Sequence, residues 1–343
     1  MPLPIQENVS LAPLTTLNIG GNARYFIKAE TETTVVEAVE YAAEKNLRLF
    51  ILGGGSNVLI ADAGFDGIVL QIAPQGYSKL GTQNSELTTI AAGEDWDEFV
   101  AYCVVNELAG VENLSGIPGR VGGTPVQNVG AYGQEVSETI ENVRCFDRKT
   151  MSIVTLSNVD CGFSYRKSIF NSTMRDRYVV LSVTYKLKRG GQPKIVYEDL
   201  IEYFDGRSPD LAETREAVLN IRRLKSMVIE PDDPNSKSAG SFFKNPVVSR
   251  SKLAELQMQN RAIPYFEFGD GVKIPAAWLI EKAGFAKGFT HGRAGISSRH
   301  TLALINCGNA SAAEIIELKE LIQNAVENRF GIPLHPEPVF VGF

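Results

Sequence analysis

Cysteine and histidine are scarce in this chain. Its 343 residues hold four cysteines and three histidines. Cys103, Cys145, Cys161 and Cys307 are scattered and form no CxxC pair, so neither a zinc site nor a disulfide framework is indicated. His291, His300 and His335 all lie beyond residue 290. No apolar run approaches the length of a membrane span. The start, Met-Pro-Leu-Pro-Ile-Gln-Glu, lacks the charged-then-apolar pattern of a signal peptide. The basic excess of a general nucleic-acid binder is missing too, since the net charge is −6. That balance still permits one anionic ligand met by a local cluster of cations. There is no internal repeat and no low-complexity tract. The expectation is a cytoplasmic, metal-free protein with no nucleic-acid or membrane partner.

What is there is an ordinary globular composition, 44% hydrophobic and 22% charged. The length suits two or three domains. Thr34-Val-Val-Glu37 is a capping-box pattern and predicts a helix with Val35, Val36, Val39, Ala42 and Ala43 on its apolar face. Arg48–Leu52, Val58–Ile60, Gly67–Ile72 and Leu87–Ala92 read as strands, and Asp95–Leu108 as a helix. Arg177–Leu187 alternates with a period of two, which predicts a half-buried, antiparallel strand. Helices are expected around Thr214–Lys225, at Pro275–Ala283 with proline at the first position, and from Ser311 to Arg329 with Glu314 completing a capping box. The polar connector Pro231-Asp-Asp-Pro-Asn-Ser-Lys-Ser238 marks a domain boundary just before it. The elements do not alternate strictly, so the fold class is α+β.

Three segments carry candidate chemistry. Leu52-Gly-Gly-Gly-Ser-Asn-Val58 follows a strand as a dinucleotide loop would, but it lacks the third glycine of that fingerprint, and strand rather than helix follows. Gly116–Gly133 holds six glycines in eighteen residues, interleaved with Thr124, Gln127, Asn128 and Tyr132. Such a loop can form an anion-binding nest for a pyrophosphate. Structureless loops of this length are uncommon unless functional, which favours ligand binding over an ordinary connection. Ser238-Ala-Gly-Ser-Phe-Phe-Lys-Asn-Pro246 places Ser241 between a glycine and two adjacent aromatics. Strand side chains alternate, so both faces must be covered there. The segment is either a tight turn into a buried strand or a polar atom held for chemistry.

Taken in order, Thr15–Gly21, Leu52–Val58, Ile117–Gly133, Ser164-Tyr-Arg166, Ser238–Pro246 and Glu337 resemble the UDP-N-acetylenolpyruvoylglucosamine reductase family over nearly the whole chain. The resemblance implies an FAD-binding domain of the vanillyl-alcohol-oxidase/p-cresol-methylhydroxylase type plus a C-terminal α+β substrate-binding domain. The implied bounds are 1–75 and 76–228 for two FAD-binding subdomains and 229–331 for the substrate domain, with 332–343 returning near the active site. It also implies FAD as cofactor, NADPH as reductant, a UDP-sugar substrate, a monomer, and a part in cell-wall precursor synthesis. FAD contacts are expected from Leu52, Gly53, Gly54, Gly55, Ser56, Asn57 and Val58. They are also expected from Ile117, Pro118, Gly119, Gly122, Gly123, Thr124, Gln127, Asn128, Gly130, Ala131 and Tyr132. With no histidine in either loop, the FAD is expected to be non-covalent.

The implied reaction adds a hydride to an enol ether and a proton to the carbon beside its carboxylate. The resemblance gives Arg166 and Glu337 to the substrate carboxylate and Ser241 to the proton, with Lys244 as an aid. Tyr165, Tyr197, Arg222, Lys225, Asn245, Tyr265 and Lys273 are expected at the substrate, and the role of His300 is open. Two positions depart from the family pattern. Pro338 follows Glu337 where a β-branched residue is usual, and Ser238 stands where asparagine is common. The rival readings are an oxidase on the same fold and an inactive nucleotide-sugar-binding protein. Intact Arg166, Ser241 and Glu337 argue against the second.

Overall fold

A computed structural model describes residues 3–81, 85–259 and 263–343. The chain forms two compact units. One runs up to Val9 and takes in Asn22–Gly55 and Phe65–Val228; the other comprises Ser10–Gly21, Ser56–Gly64 and Ile229–Phe343. Each unit mixes sheet and helix, so the chain is α+β.

The first unit contains two main sheets and one short antiparallel pair, Gly130–Ala131 with Gln134–Glu135, at the end of the second glycine-rich loop. In one main sheet, Asn22–Ala29 and Leu49–Leu52 flank Phe65–Ile72 in parallel, with Gln6–Ser10 at the edge. Parallel neighbours need a crossover, and the helix Glu32–Glu44 supplies it. Its N-cap is Thr31, whose hydroxyl accepts the Thr34 N–H at 3.1 Å, so the helix starts before the Thr34 box that the sequence suggests. Both threonines carry capping chemistry, and the chain is already helical beyond the extended Thr31. The buried face is Val35, Ala38, Val39 and Ala42; Ala43 points outward.

The second sheet is antiparallel and ordered Ser152–Ser157, Ile140–Asp147, Tyr178–Arg189, Ser85–Ala91, Tyr77–Gly81. On its central strand Val179, Leu181, Val183, Tyr185 and Leu187 are all buried, as the period of two predicts. The helix Trp96–Val105 is capped by Asp95 and ends before the expected Leu108. There Glu107 turns to a positive φ of 56°, and Leu108–Ala109 joins the sheet against Arg189. Two further helices, Glu198–Phe204 and Leu211–Leu224, pack together through Leu200, Phe204, Ala217 and Val218. The longer one opens on an Asp210–Glu213 capping box, ahead of the expected Thr214.

The second unit is built on the sheet Ser238–Ser241, Ala303–Asn306, Ala294–Ile296, Thr290–His291. The helix Ala312–Phe330 packs over it, opened by the Ser311–Glu314 box as expected. Asp62, from the segment 56–64, adds a second cap by accepting the Ala312 and Ala313 N–H groups at 2.8 and 3.1 Å. The helix Ala276–Lys282 has Pro275 at its N-cap rather than inside the first turn. Proline offers no capping side chain, and the Asn245 Oδ1 takes the Ala276 N–H at 2.9 Å instead. Val339–Val341 closes the unit by pairing in parallel with Val58–Ile60.

Candidate active site

In the first unit the two glycine-rich loops meet. A Cβ added at Gly54 would lie 2.7 Å from the Gly119 Cα and 3.1 Å from its carbonyl carbon, so only backbone fits between them. A Cβ at Gly53 or Gly123 would instead meet nothing within 4 Å. The pair therefore forms a backbone-lined cradle with an open side. Fewer backbone donors face that side than glycine density suggests. The N–H groups of Val121, Gly122, Gly123 and Thr124 bond to the carbonyls of Glu94, Ala92, Arg120 and Val121.

The polar side chains of the long loop are also engaged within the protein. The Thr124 hydroxyl donates to the Val121 carbonyl at 2.8 Å and lies 2.7 Å from the Tyr185 hydroxyl. Buried Asn128 donates to Glu135 and to the Ser164 carbonyl and accepts from the Ser137 N–H. Three non-glycine residues in or against this loop have positive φ: Asn128 at 47°, Tyr132 at 48° and Arg166 at 53°. Each is a costly conformation, held only where surroundings over-determine it, and such residues cluster at functional sites.

Arg166 stands at the tip of a tight turn closed by paired Ser164 and Lys167 bonds. Its Nη2 donates to the Gly130 carbonyl at 2.6 Å, and its guanidinium lies 5.5 Å from the Tyr165 ring centre. A Cβ at position 130 would come 2.8 Å from the Glu135 Cγ, 2.9 Å from the Gln134 carbonyl oxygen and 3.1 Å from the Arg166 Nη1, so glycine there makes room for all three.

A charged cluster anchors the start of the loop. Asp97 accepts the Gly116 N–H at 2.6 Å and takes both Arg215 amino groups at 2.6 and 2.8 Å. Burial raises the Asp97 pKa, but Arg215, the Gly116 N–H and Arg222 outweigh it and leave the carboxyl below its usual value. Arg222 is buried; its Nη2 donates to the Met227 carbonyl at 2.6 Å, and its Nε has no hydrogen-bond partner among the described residues. Burial lowers its pKa, while Tyr132 and Asp97 oppose that. Burial pushes the Tyr132 hydroxyl up to about 12 against the pull of Arg222. The Tyr132 ring meets the Tyr197 ring edge-on at 5.4 Å. Lys225, just past the helix end, pairs with Asp199 and keeps 37% of its side chain exposed. Tyr132, Tyr197, Arg222 and Lys225 thus form one neighbourhood, with Arg222 inside it and Lys225 at its surface.

In the second unit Ser241 ends a bulged strand. Ser238 pairs with Ile305 and Ser241 with Ala303, leaving extra chain between them, and Gly240 takes φ +72° there. The bulge breaks strict alternation, and Phe242 and Phe243 are both buried at 0% and 1% exposure, ring centres 5.4 Å apart. The two adjacent aromatics are therefore covered on both sides, as the sequence requires. The Ser241 Oγ lies 3.4 Å from the His300 Nε2. The same strand segment runs against the C-terminal stretch: Lys244 N–H donates to the His335 carbonyl and Glu337 N–H to the Phe242 carbonyl. Asn57 Nδ2 donates to the Glu337 carbonyl at 3.3 Å, and the Val339 N–H donates to the Asn57 carbonyl at 2.9 Å. Pro338 thus falls between two residues whose N–H groups are both bonded. Tyr265 is 43% exposed, and Lys273 Nζ sits 4.4 Å over the Phe268 ring on a three-stranded sheet.

Residues 23–157 match the FAD binding domain family, and 232–341 match the UDP-N-acetylenolpyruvoylglucosamine reductase C-terminal domain. The glycine cradle agrees with the first match, and the chain is an FAD-dependent oxidoreductase. Reductases of the second name match it along its length. That of Thermobifida fusca is 43% identical, covering 100% of this chain and 99% of the relative. That of Streptomyces coelicolor is 44% identical, covering 99% and 91%. The crystal structure of the Thermus caldophilus reductase superposes with a TM-score of 0.68 at 25% identity, covering 99% of each chain. The chain belongs to the UDP-N-acetylenolpyruvoylglucosamine reductase family.

Proposed function

We propose that this protein reduces the enolpyruvyl group of UDP-N-acetylglucosamine enolpyruvate to give UDP-N-acetylmuramate, a peptidoglycan precursor, with NADPH as reductant. The observation that carries the reading is the Ser241 hydroxyl, set on a bulged strand beside an imidazole, in a chain that matches reductases end to end.

FAD, when bound, supplies the hydride to the vinyl carbon. Residues of both loops hold it: Leu52–Val58 and Ile117–Tyr132 offer backbone along a glycine-lined cradle. Negative charge then develops beside the substrate carboxylate, where fixed cationic groups act best. Arg166 forks onto that carboxylate, its guanidinium oriented by the Gly130 carbonyl. Glu337 assists at the other carboxylate oxygen or orients Arg166. The Ser241 Oγ–H delivers the proton to the carbon. Lys225 meets the diphosphate, and Tyr165, Tyr197, Asn245, Tyr265 and Lys273 are the further candidates for substrate contact. Arg222, being buried, acts by ordering Tyr132. The same reading has the enzyme working as a monomer in the cytoplasm; size exclusion measures the first of these. Among the described residues no helix is long and apolar enough to cross a membrane.

The test is anaerobic and in two steps. NADPH should bleach the flavin band near about 450 nm. Adding the enolpyruvyl sugar nucleotide should restore it and yield a product heavier by two hydrogens. Recolouring only on admission of oxygen would establish the oxidase reading instead. Heat should release the FAD intact, since no histidine lies in either loop to tether it.

A further inference from the structure

Ser241 is a poor acid by itself, because the alkoxide left behind is strongly basic. The sequence offers Lys244 as an aid; the bond in the structure is to His300, 59 residues away, with Oγ and Nε2 at 3.4 Å. We propose that His300 is a positioning residue for the reduction and the proton source behind Ser241. This rests on the reading of Ser241 as the acid.

The scaffold holds the pair in place. Ser241 pairs with Ala303 across the sheet, and the Ala303 N–H donates to the His300 carbonyl at 3.0 Å. The Phe242 N–H donates to the Leu302 carbonyl at 2.7 Å. The turn is closed by Ser297, whose N–H donates to the Ala303 carbonyl, and is pinned by Asn235, whose Oδ1 accepts from Ser297 and Ser298. Backbone bonds thus fix both partners, and a 3.4 Å separation is of the kind that tightens when substrate binds.

The direction of the bond follows from the chemistry. An Nε2 that accepts the hydroxyl proton would make serine a nucleophile. An Nε2–H that donates stabilises the departing charge and makes it an acid. As the Oγ–H bond breaks and a C–H bond forms at the carbon beside the carboxylate, the Nε2–H bond breaks and a new Oγ–H bond forms. The imidazolium becomes neutral imidazole, and water reprotonates it. Serine is thereby restored without a free alkoxide.

The test follows flavin recolouring by the enolpyruvyl sugar under anaerobic rapid mixing, with NADPH bleaching measured separately. His300→Ala should slow recolouring roughly 10²-fold, the scale of positioned acid catalysis, and leave bleaching near normal. Added imidazole should restore part of the rate. In mixtures of light and heavy water the wild-type recolouring rate should curve with deuterium fraction, since two protons move together. In His300→Gln, which keeps a donor but relays no proton, the plot should be straight. Wild-type recolouring in His300→Ala, equal slowing of bleaching, absence of rescue, or an unchanged curve in His300→Gln would each overturn the relay. If His300→Ala does not fold, the His300→Gln plot decides alone. Ser241→Ala separates the two readings. Slow recolouring there with normal recolouring in His300→Ala sinks only the relay, whereas normal recolouring in Ser241→Ala sinks the serine acid itself.

Discussion

The glycine loops of the first unit and the Ser241 strand end of the second treat their polar groups differently. In the first, nearly every polar side chain at the glycine loops is satisfied by another protein group: Thr124 by Tyr185, Asn128 by Glu135 and Ser164, Asp97 by Arg215 and Gly116. In the second, the Ser241 hydroxyl rests on one long contact at a strand bulge. A surface that must hold a large cofactor is shaped by backbone, and its side chains serve to fix that shape. A group that must give up a proton is placed by sheet register and left lightly bonded. Binding and chemistry therefore make different demands, and the sequence meets one with glycine and the other with a bulge.

Four measurements break or sharpen this contrast. The largest effect is expected at Ser241→Ala. Recolouring by the enolpyruvyl sugar should slow by roughly 10²–10⁴-fold while FAD content and bleaching by NADPH stay near normal. Loss of FAD from that variant would mean that the hydroxyl serves cofactor binding rather than proton delivery.

Asp97→Asn should come next, and on stability rather than chemistry. It strips the counter-charge from Arg215, whose side chain is only 17% exposed, and from buried Arg222. Removing one partner of a largely buried pair costs about 2–4 kcal/mol, which denaturant titration would read. An unchanged midpoint would show that the cluster does not anchor the loop.

Gly54→Ala tests the cradle by forcing a methyl toward the Gly119 backbone. Overpacking of this kind costs about 1–3 kcal/mol, and the purified protein should carry less FAD per chain. Full flavin loading would mean that the loops separate freely.

The smallest effect is expected from acid, and each unit has its own sensor. Hydrogen bonds from Arg177 hold the Asp147 carboxyl at about 2, and backbone N–H groups of Ser311 and Arg293 hold Glu314 at about 2. Both pKa values are depressed, so the stabilisation is complete above the ordinary carboxylate range and is lost as pH falls through it toward about 2. Asp147→Asn should flatten the acid limb of unfolding for the first unit and Glu314→Gln for the second. A single shared limb that both variants flatten equally would show that the units unfold together.

Where a local rule was sufficient, the sequence was legible. The Ser311–Glu314 box, the alternation of Tyr178–Arg189 and the need to cover Phe242 and Phe243 all rest on neighbours in the chain. Two adjacent capping residues defeat the same logic, as at Thr31 and Thr34. Candidates such as Arg222 show another limit. A helix pattern places it on a face with Lys225, but only packing reveals that one is buried and the other partly exposed. The helices Glu198–Phe204 and Arg250–Gln259 lie outside the elements that sequence patterning predicts. No spacing rule joins Ser241 to His300, because a sheet brings together residues 59 positions apart. The assignment of segments 10–21 and 56–64 to the second unit is equally invisible, since it depends on Val58–Ile60 pairing with Val339–Val341 and on Thr16 and Leu17 bonding to Ser238 and Asn306.

That pairing sets a timetable for synthesis. Val58–Ile60 emerges early from the ribosome, yet its partner Val339–Val341 is made some 280 residues later. The first unit can close around its sheets while the second is still being translated, with segments 10–21 and 56–64 waiting as exposed loops. The buried Leu17, Ile19 and Leu59 belong to the core that residues from Ala239 onward build, and they stay uncovered until that stretch is made. A nascent chain stalled before Ala239 should therefore be a chaperone client and a protease target at those segments, and completion of the second unit should end both liabilities.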